Sequence, residues 1–210
     1  MEMISTNCKG ETMKEMDIIF LLDKSGSMHG SEDDTIGGFN SFIEKERKKE
    51  YNTKVTTILF DHEYEVLYER KPINEVKELT RKEYEVRGST ALIDAVGKTI
   101  QKMDKEIGNS VLFVITTDGM ENSSRKYTNE NIKNLINNHN WEFIFIGADI
   151  DSYSQARKLG IDEIHTANYK KSKDGLKDMF YSVSEASNIM FEKKSLEDSN
   201  WKKDLKKYDD

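Results

Sequence analysis

The 210-residue chain has little cysteine or proline, one residue of each, and it lacks a long hydrophobic run. The lone thiol of Cys8 cannot form an internal disulfide, and no group of cysteine and histidine residues has the spacing of a zinc site. The N-terminus lacks the apolar core of a signal peptide, and no apolar run approaches the ~20 residues that span a bilayer. These absences favour a cytoplasmic protein without a membrane span.

Positive charge is also in deficit. The chain has 39 acidic and 32 basic residues, which give a net charge of -7. Because nucleic acid phosphates are bound by basic surfaces, this balance argues against a nucleic acid partner. Hydrophobic residues make up 36% of the chain and charged residues 34%, enough for one core and its solvated surface. We predict one monomeric domain at 16–194, with a polar leader at 1–15 and a charged tail at 195–210.

Uninterrupted apolar runs alternate with amphipathic stretches along the chain. The runs at 16–22, 109–118 and 141–148 predict strands that are buried on both faces. A further short strand is predicted at 163–167. The amphipathic stretches predict helices, which we expect at 31–49, 74–83, 90–103, 128–139, 152–159 and 172–194.

A pair of β-rich segments, 53–61 and 63–71, is joined by so short a link that the two strands must be antiparallel. The second segment alternates between apolar and polar residues, which is typical of an edge strand. Strands that alternate with helices elsewhere indicate parallel pairing. The predicted fold is therefore α/β, a doubly wound, mostly parallel sheet of about six strands with one antiparallel edge strand and helices on both faces.

Oxygen-bearing side chains fall in three loops at the carboxyl edge of this predicted sheet, where open α/β sheets bind their ligands. They are Asp23, Ser25 and Ser27 after the first strand, Thr90 before the third helix, and Asp118 after the central strand. Two carboxylates and three hydroxyls, without nitrogen or sulfur, suit a hard divalent cation. We expect Mg²⁺ first, with Mn²⁺ or Ca²⁺ as alternatives.

The segment DKSGS at 23–27, Thr90 within GST and Asp118 within TTDG resemble the metal-ion-dependent adhesion site of von Willebrand factor type A domains. The motif of that site reads D-x-S-x-S, then T, then D. The resemblance covers about residues 16–190 and implies the doubly wound fold of that family. It also implies that the hydroxyls contact the metal and that the aspartates bind it directly or through water. A glutamate or aspartate of a partner protein would then supply the last ligand, in an adaptor or scaffold that is not an enzyme.

Two other interpretations stay open. In a haloacid dehalogenase-type phosphohydrolase Asp23 would be the nucleophile, although Ser25 stands where that mechanism needs a second aspartate. Alternatively, the fold carries a non-functional site, in which the serines form a turn, Thr90 caps a helix and Asp118 ends a strand.

Some neighbouring residues have simpler interpretations. Glu121 and Asn122 follow Asp118, and we expect them not to bind the metal directly. Trp201 is expected to dock on the core, and His29 and His62 are expected to be solvated.

Overall fold

The computed structural model describes residues 15–105, 107, 110–193, 195–196 and 200–209, so Cys8 and nearly all of the predicted leader lie outside the described residues. Its strands are β1 (Glu15–Asp23), β2 (Asn52–Phe60), β3 (Tyr64–Pro72), β4 (Ser110–Thr117), β5 (Glu142–Ala148) and β6 (Thr166–Tyr169). They form one sheet in the order β3-β2-β1-β4-β5-β6. Only the pairing of β2 with β3 is antiparallel among these described strands. The fold class predicted from the sequence is confirmed.

Five α-helices of the described residues cover the two faces of the sheet. They are α1 (Glu32–Arg47), α2 (Leu92–Met103), α3 (Asn129–Asn137), α4 (Ser152–Leu159) and α5 (Lys173–Lys193). Successive side chains of a strand point to opposite faces, so Phe20 of β1 lies in one buried cluster with residues of α1 and α5, whereas Leu21 lies in a second cluster with residues of α2, α3 and α4. Both faces of β1 are therefore buried, as its uninterrupted apolar run predicts. No described helix is long and apolar enough to cross a membrane.

The segment 74–83 is not the helix that its apolar spacing predicts. A 3₁₀ turn covers Ile73–Glu75, and the chain then continues without a regular helix. Asn40 of α1 holds this segment through two hydrogen bonds to Leu79: its amide oxygen accepts from the backbone N–H at 2.8 Å, and its amide nitrogen donates to the carbonyl at 2.9 Å. Val76 and Leu79 are buried, so their spacing of three residues reflects packing against the core. A side chain from outside the segment satisfies backbone groups that a helix would pair internally.

One strand boundary also differs from the prediction, whereas the start of α1 agrees with it. A 3₁₀ turn occupies Glu163–His165, so the last strand begins later than expected. Helix α1 begins next to Ser31 as predicted, but the Ser31 side chain makes no capping hydrogen bond. The carboxylate of Glu32 instead accepts from the backbone N–H of Gly30 at 2.8 Å.

The C-terminal residues pack against the same core as α1 and α5. Leu196, Trp201 and Leu205 are fully buried, and the indole N–H of Trp201 donates to the carbonyl of Ile164 at 3.1 Å. The predicted docking of Trp201 on the core is confirmed. The division of the chain into leader, domain and tail stays a prediction.

Candidate metal centre

The first loop of the site begins where β1 leaves the sheet. Asp23 is the last residue of β1, and a 3₁₀ turn at Gly26–Met28 follows it. One carboxylate oxygen of Asp23 accepts from the backbone N–H of Ser25 at 2.7 Å, and the other accepts from the hydroxyl of Thr117 at 2.5 Å. These hydrogen bonds fix the carboxylate between the ends of β1 and β4. The hydroxyl oxygens of Ser25 and Ser27 lie 3.0 Å apart.

Three hydroxyls converge on one point beside the backbone of Gly119. A Cβ atom added to Gly119 would lie 2.6 Å from the Thr90 Oγ1 atom, 2.9 Å from the Ser27 Oγ atom and 3.3 Å from the Ser25 Oγ atom. The glycine thus leaves a small space that hydroxyls from two separate loops surround. Asp118, the residue before Gly119, completes the set with Asp23. The structure brings together all of the side chains that the sequence nominated.

The carboxylate of Asp118 is buried, with 1% of its side chain exposed. Neither of its oxygens accepts a hydrogen bond within the described part of the chain. Lys171 places its ammonium 2.9 Å from the Oδ2 atom and forms an ion pair with Asp118. Buried carboxylate oxygens without hydrogen bonds are costly. Such oxygens beside converging hydroxyls fit a hard cation, which would coordinate them.

The surroundings of the Asp23 carboxyl group shift its pKa upwards. Burial raises its pKa to about 6, although the hydrogen bonds from Thr117 and Ser25 act in the opposite direction. The negative charge of Asp118 also contributes to this upward shift of the pKa. A cation between the two carboxylates would offset both effects, because it favours their charged forms.

The loop that carries Thr90 is held in place through the backbone of that residue. The side-chain oxygen of Asn122 accepts from the Thr90 N–H at 3.0 Å, and the N–H groups of Asn122 and Ser123 donate to the Thr90 carbonyl at 3.1 and 3.2 Å. Asn122 therefore uses its side-chain oxygen to hold the backbone of a candidate ligand. It fixes the threonine from the backbone side.

Two supporting residues were not predicted from the sequence. Thr117 donates to Asp23 from the last position of β4, and its place in a buried run gave it the appearance of an ordinary strand residue. Tyr84 donates its phenol O–H to the carbonyl of Asp23 from the irregular segment before the second loop. That contact joins residues 61 positions apart, and no local pattern signals it.

Glu121 has a structural role. Its carboxylate accepts from the backbone N–H of Ile93 at 2.9 Å, and from the N–H groups of Ser123 and Ser124 at 2.9 and 2.7 Å. These bonds satisfy an unpaired donor in the first turn of α2 and tie that turn to the loop after β4. The expectation that Glu121 is not a metal ligand agrees with this engagement.

Histidines do not contribute to the site. His29 has 88% of its side chain exposed and His62 has 47%, in agreement with the expected solvation. No group of three or more histidine, cysteine, aspartate or glutamate residues that could hold a metal exists among the described residues. Any cation at this edge of the sheet would therefore need the hydroxyl ligands as well as the two carboxylates.

The sheet order and the oxygen cluster together define a doubly wound α/β domain with a candidate cation site at its carboxyl edge. Residues 17–189 match the family model of the von Willebrand factor type A domain. The chain therefore belongs to the von Willebrand factor type A domain family. No curated protein sequence matches it.

Solved structures share this fold at low sequence identity. The von Willebrand factor domain of the type V pili tip protein Mfa5 from Porphyromonas gingivalis aligns with a TM-score of 0.66 and 13% identity, over 90% of this chain and 100% of that one. The pilus adhesin SpaC from Lactobacillus rhamnosus GG, in an open conformation, aligns with a TM-score of 0.71 and 12% identity, over 86% of this chain and 31% of that one.

A third relative of known structure is proximal thread matrix protein 1 from the mussel byssus, with zinc in its metal-ion-dependent adhesion site. It gives a TM-score of 0.60 and 16% identity over 83% of this chain, which spans 46% of that protein. At these identities the comparisons establish the fold alone.

Proposed function

We propose that this chain is a protein-interaction domain that binds one divalent cation and uses it to capture a glutamate or aspartate of another protein. The ligands would be Asp23, Ser25, Ser27, Thr90 and Asp118. Von Willebrand factor type A domains are generally interaction modules, and the zinc-bound byssus protein is a relative with a metal in the corresponding kind of site. The observation that carries the proposal is the convergence of three hydroxyls on one point beside Gly119, next to the buried carboxylate of Asp118.

The ligand set suits capture of an acidic side chain. Mg²⁺ is the first choice for such oxygens, with Mn²⁺ or Ca²⁺ as alternatives. Two carboxylates balance the charge of the ion, whereas hydroxyls add coordination without more negative charge. An ion held largely by neutral oxygens remains strongly attractive to a further anion, so a partner carboxylate can complete its octahedron. We place this activity in the cytoplasm, in keeping with the single cysteine of the sequence.

Two features favour binding over phosphoester hydrolysis. The residue two positions after Asp23 is Ser25, whose hydroxyl cannot replace the carboxyl acid/base that a nucleophilic aspartate needs there. Glu121, which could serve with Asp118 as the acidic pair of a phosphohydrolase, is engaged by backbone N–H groups. The buried carboxylate of Asp118, which faces the Lys171 ammonium and accepts no hydrogen bond from the described residues, likewise favours a cation site over a non-functional one.

The metal site is tested by calorimetric titration of chelator-treated protein with Mg²⁺. We expect one site per chain and an increase in thermal stability on binding. Asp118→Asn removes one ligand charge and is expected to weaken binding by about tenfold or more. Asp149→Asn is the control, because Asp149 is an exposed acid in the neighbouring loop after β5. Equal affinities of Asp118→Asn and the wild-type chain, or no binding of Mg²⁺, Mn²⁺ or Ca²⁺, would count against the site.

Partner capture is tested separately by a pull-down in Mg²⁺ that is repeated in chelator. Proteins that bind through the cation are expected to elute when the chelator is added. They are not expected to bind to the Asp118→Asn variant. Replacing the partner's contacting glutamate or aspartate by alanine should abolish the complex. A complex that survives chelation would contradict metal-dependent capture while leaving the metal titration as an independent result.

A further inference from the structure

Lys171 brings a positive charge into the oxygen cluster. It lies between β6 and α5, and its side chain is 24% exposed. Its ammonium is 2.9 Å from the Oδ2 atom of Asp118 and donates a hydrogen bond to the backbone carbonyl of Ser27. The other lysine near the site, Lys24, is directed elsewhere, with its ammonium 2.6 Å from a carboxylate oxygen of Glu65.

The ammonium of Lys171 contacts oxygen atoms of the kind that bind hard metal cations. A carboxylate oxygen and a carbonyl oxygen from two different loops face one positive charge. Because the oxygens of Asp118 accept no hydrogen bonds from the described residues, the ammonium is the partner that balances their charge there. A divalent cation and an ammonium a few ångströms apart would repel each other strongly at a site of low dielectric constant.

We propose that Lys171 competes with the divalent cation for Asp118, so that metal capture is an exchange of one cation for another. This inference rests on the proposed metal-binding function. The incoming ion, with its higher charge and further contacts to the hydroxyls, displaces the ammonium from Asp118. Lys171 then turns towards solvent beside the bound ion. The lysine lowers the affinity for metal and stabilises the carboxylates when no metal is bound.

The backbone around Lys171 is fixed, so the exchange needs to move only the side chain. The Ser172 N–H donates to the Lys170 carbonyl at 2.7 Å, and the Ser172 hydroxyl accepts from the Gly175 N–H at 3.2 Å at the start of α5. A Cβ atom on Gly175 would lie 2.0 Å from the Lys170 carbonyl oxygen, which shows how closely the two segments pack. Lys171 is thus presented to the site from a rigid support.

Lys171→Met tests the exchange, with the adjacent Lys170→Met as a control of the same charge and composition. Lys170 is exposed. Calorimetric titration with Mg²⁺ is expected to show about tenfold tighter binding by Lys171→Met and an unchanged affinity for Lys170→Met. In chelator, Lys171→Met is expected to lower the melting temperature by several degrees, because it leaves buried carboxylates without their cation. In an Asp118→Asn background the same change should have little further effect.

The possible results separate this inference from the proposed function. Tighter binding by Lys171→Met, or binding by this variant alone, supports the exchange. Equal Mg²⁺ affinities for Lys171→Met, Lys170→Met and the wild-type chain overturn the exchange and leave the metal site standing. Failure of every variant to bind Mg²⁺ contradicts the metal site itself and the exchange with it. An unchanged melting temperature of Lys171→Met in chelator also contradicts the exchange, because the lysine would then not stabilise the carboxylates.

Discussion

Gly119→Ala is expected to weaken Mg²⁺ binding by about 100-fold or more, a loss of about 2.7 kcal/mol of binding free energy. The added methyl group would lie 2.6 Å from the Thr90 Oγ1 atom and 2.9 Å from the Ser27 Oγ atom, in the space on which the hydroxyls converge. A methyl group there would push the hydroxyls out of the arrangement in which they could hold an ion. Calorimetric titration of chelator-treated protein measures the loss.

Gly37→Ala is the matched control for this substitution. Gly37 lies in α1, and a Cβ atom added to it would have no neighbour within 4 Å. The change should leave metal binding intact and slightly increase stability, because alanine favours a helix over glycine by up to about 1 kcal/mol. Overpacking at Gly119 costs about 1–3 kcal/mol, so the circular dichroism of that variant should remain that of a folded chain. Wild-type affinity of a folded Gly119→Ala would place the cation somewhere else.

Trp201→Ala is expected to lower the free energy of unfolding by about 3–5 kcal/mol. The side chain is 1% exposed, and its indole N–H donates to the carbonyl of Ile164 at 3.1 Å. Its removal leaves a large cavity in the core that contains residues of α1 and α5, and it removes the donor to the Ile164 carbonyl. Urea unfolding in excess chelator measures this effect without a contribution from bound metal.

Two further substitutions compare the loss of the indole donor and the loss of an exposed aromatic ring with the loss of the buried Trp201 side chain. Trp201→Phe keeps much of the ring but loses the donor, and we expect a smaller loss of about 1–2 kcal/mol. Tyr181→Ala removes an aromatic ring of α5 that is 46% exposed, and it should cost less than about 1 kcal/mol. A loss below 1 kcal/mol for Trp201→Ala would mean that the C-terminal residues contribute little to the stability of the fold.

The sequence predicts the sheet well because its signals are local. The apolar run at 16–22 has no polar face, so both faces of β1 had to be buried. The short link between 53–61 and 63–71 left antiparallel pairing as the single option. The helix predicted at 74–83 is wrong because a spacing of three residues between buried side chains does not identify a helix. An irregular segment that a distant side chain holds in place can have the same spacing.

Some residues of the candidate site could likewise be predicted from the sequence, and others could not. Its candidate ligands were nominated because they fall in loops after two strands and before a helix, which a doubly wound sheet brings to one edge. Tyr84 and Lys171 could not be nominated. Their contacts with Asp23 and Asp118 depend on how segments far apart in the sequence cross above the sheet. The local sequence thus indicates which residues face the ligand, but not which residues neutralise or support them.

The pairing of β1 with β4 has a consequence for how the site assembles. Met16 is paired with Ser110, so the strands that end near the two aspartates are neighbours in space but about ninety residues apart in the chain. Such non-local pairing closes late and slowly in folding. A fragment carrying either aspartate alone would have no cation site. Bound metal should therefore retard global opening of the molecule, and amide exchange should slow throughout the central strands as well as in the loops.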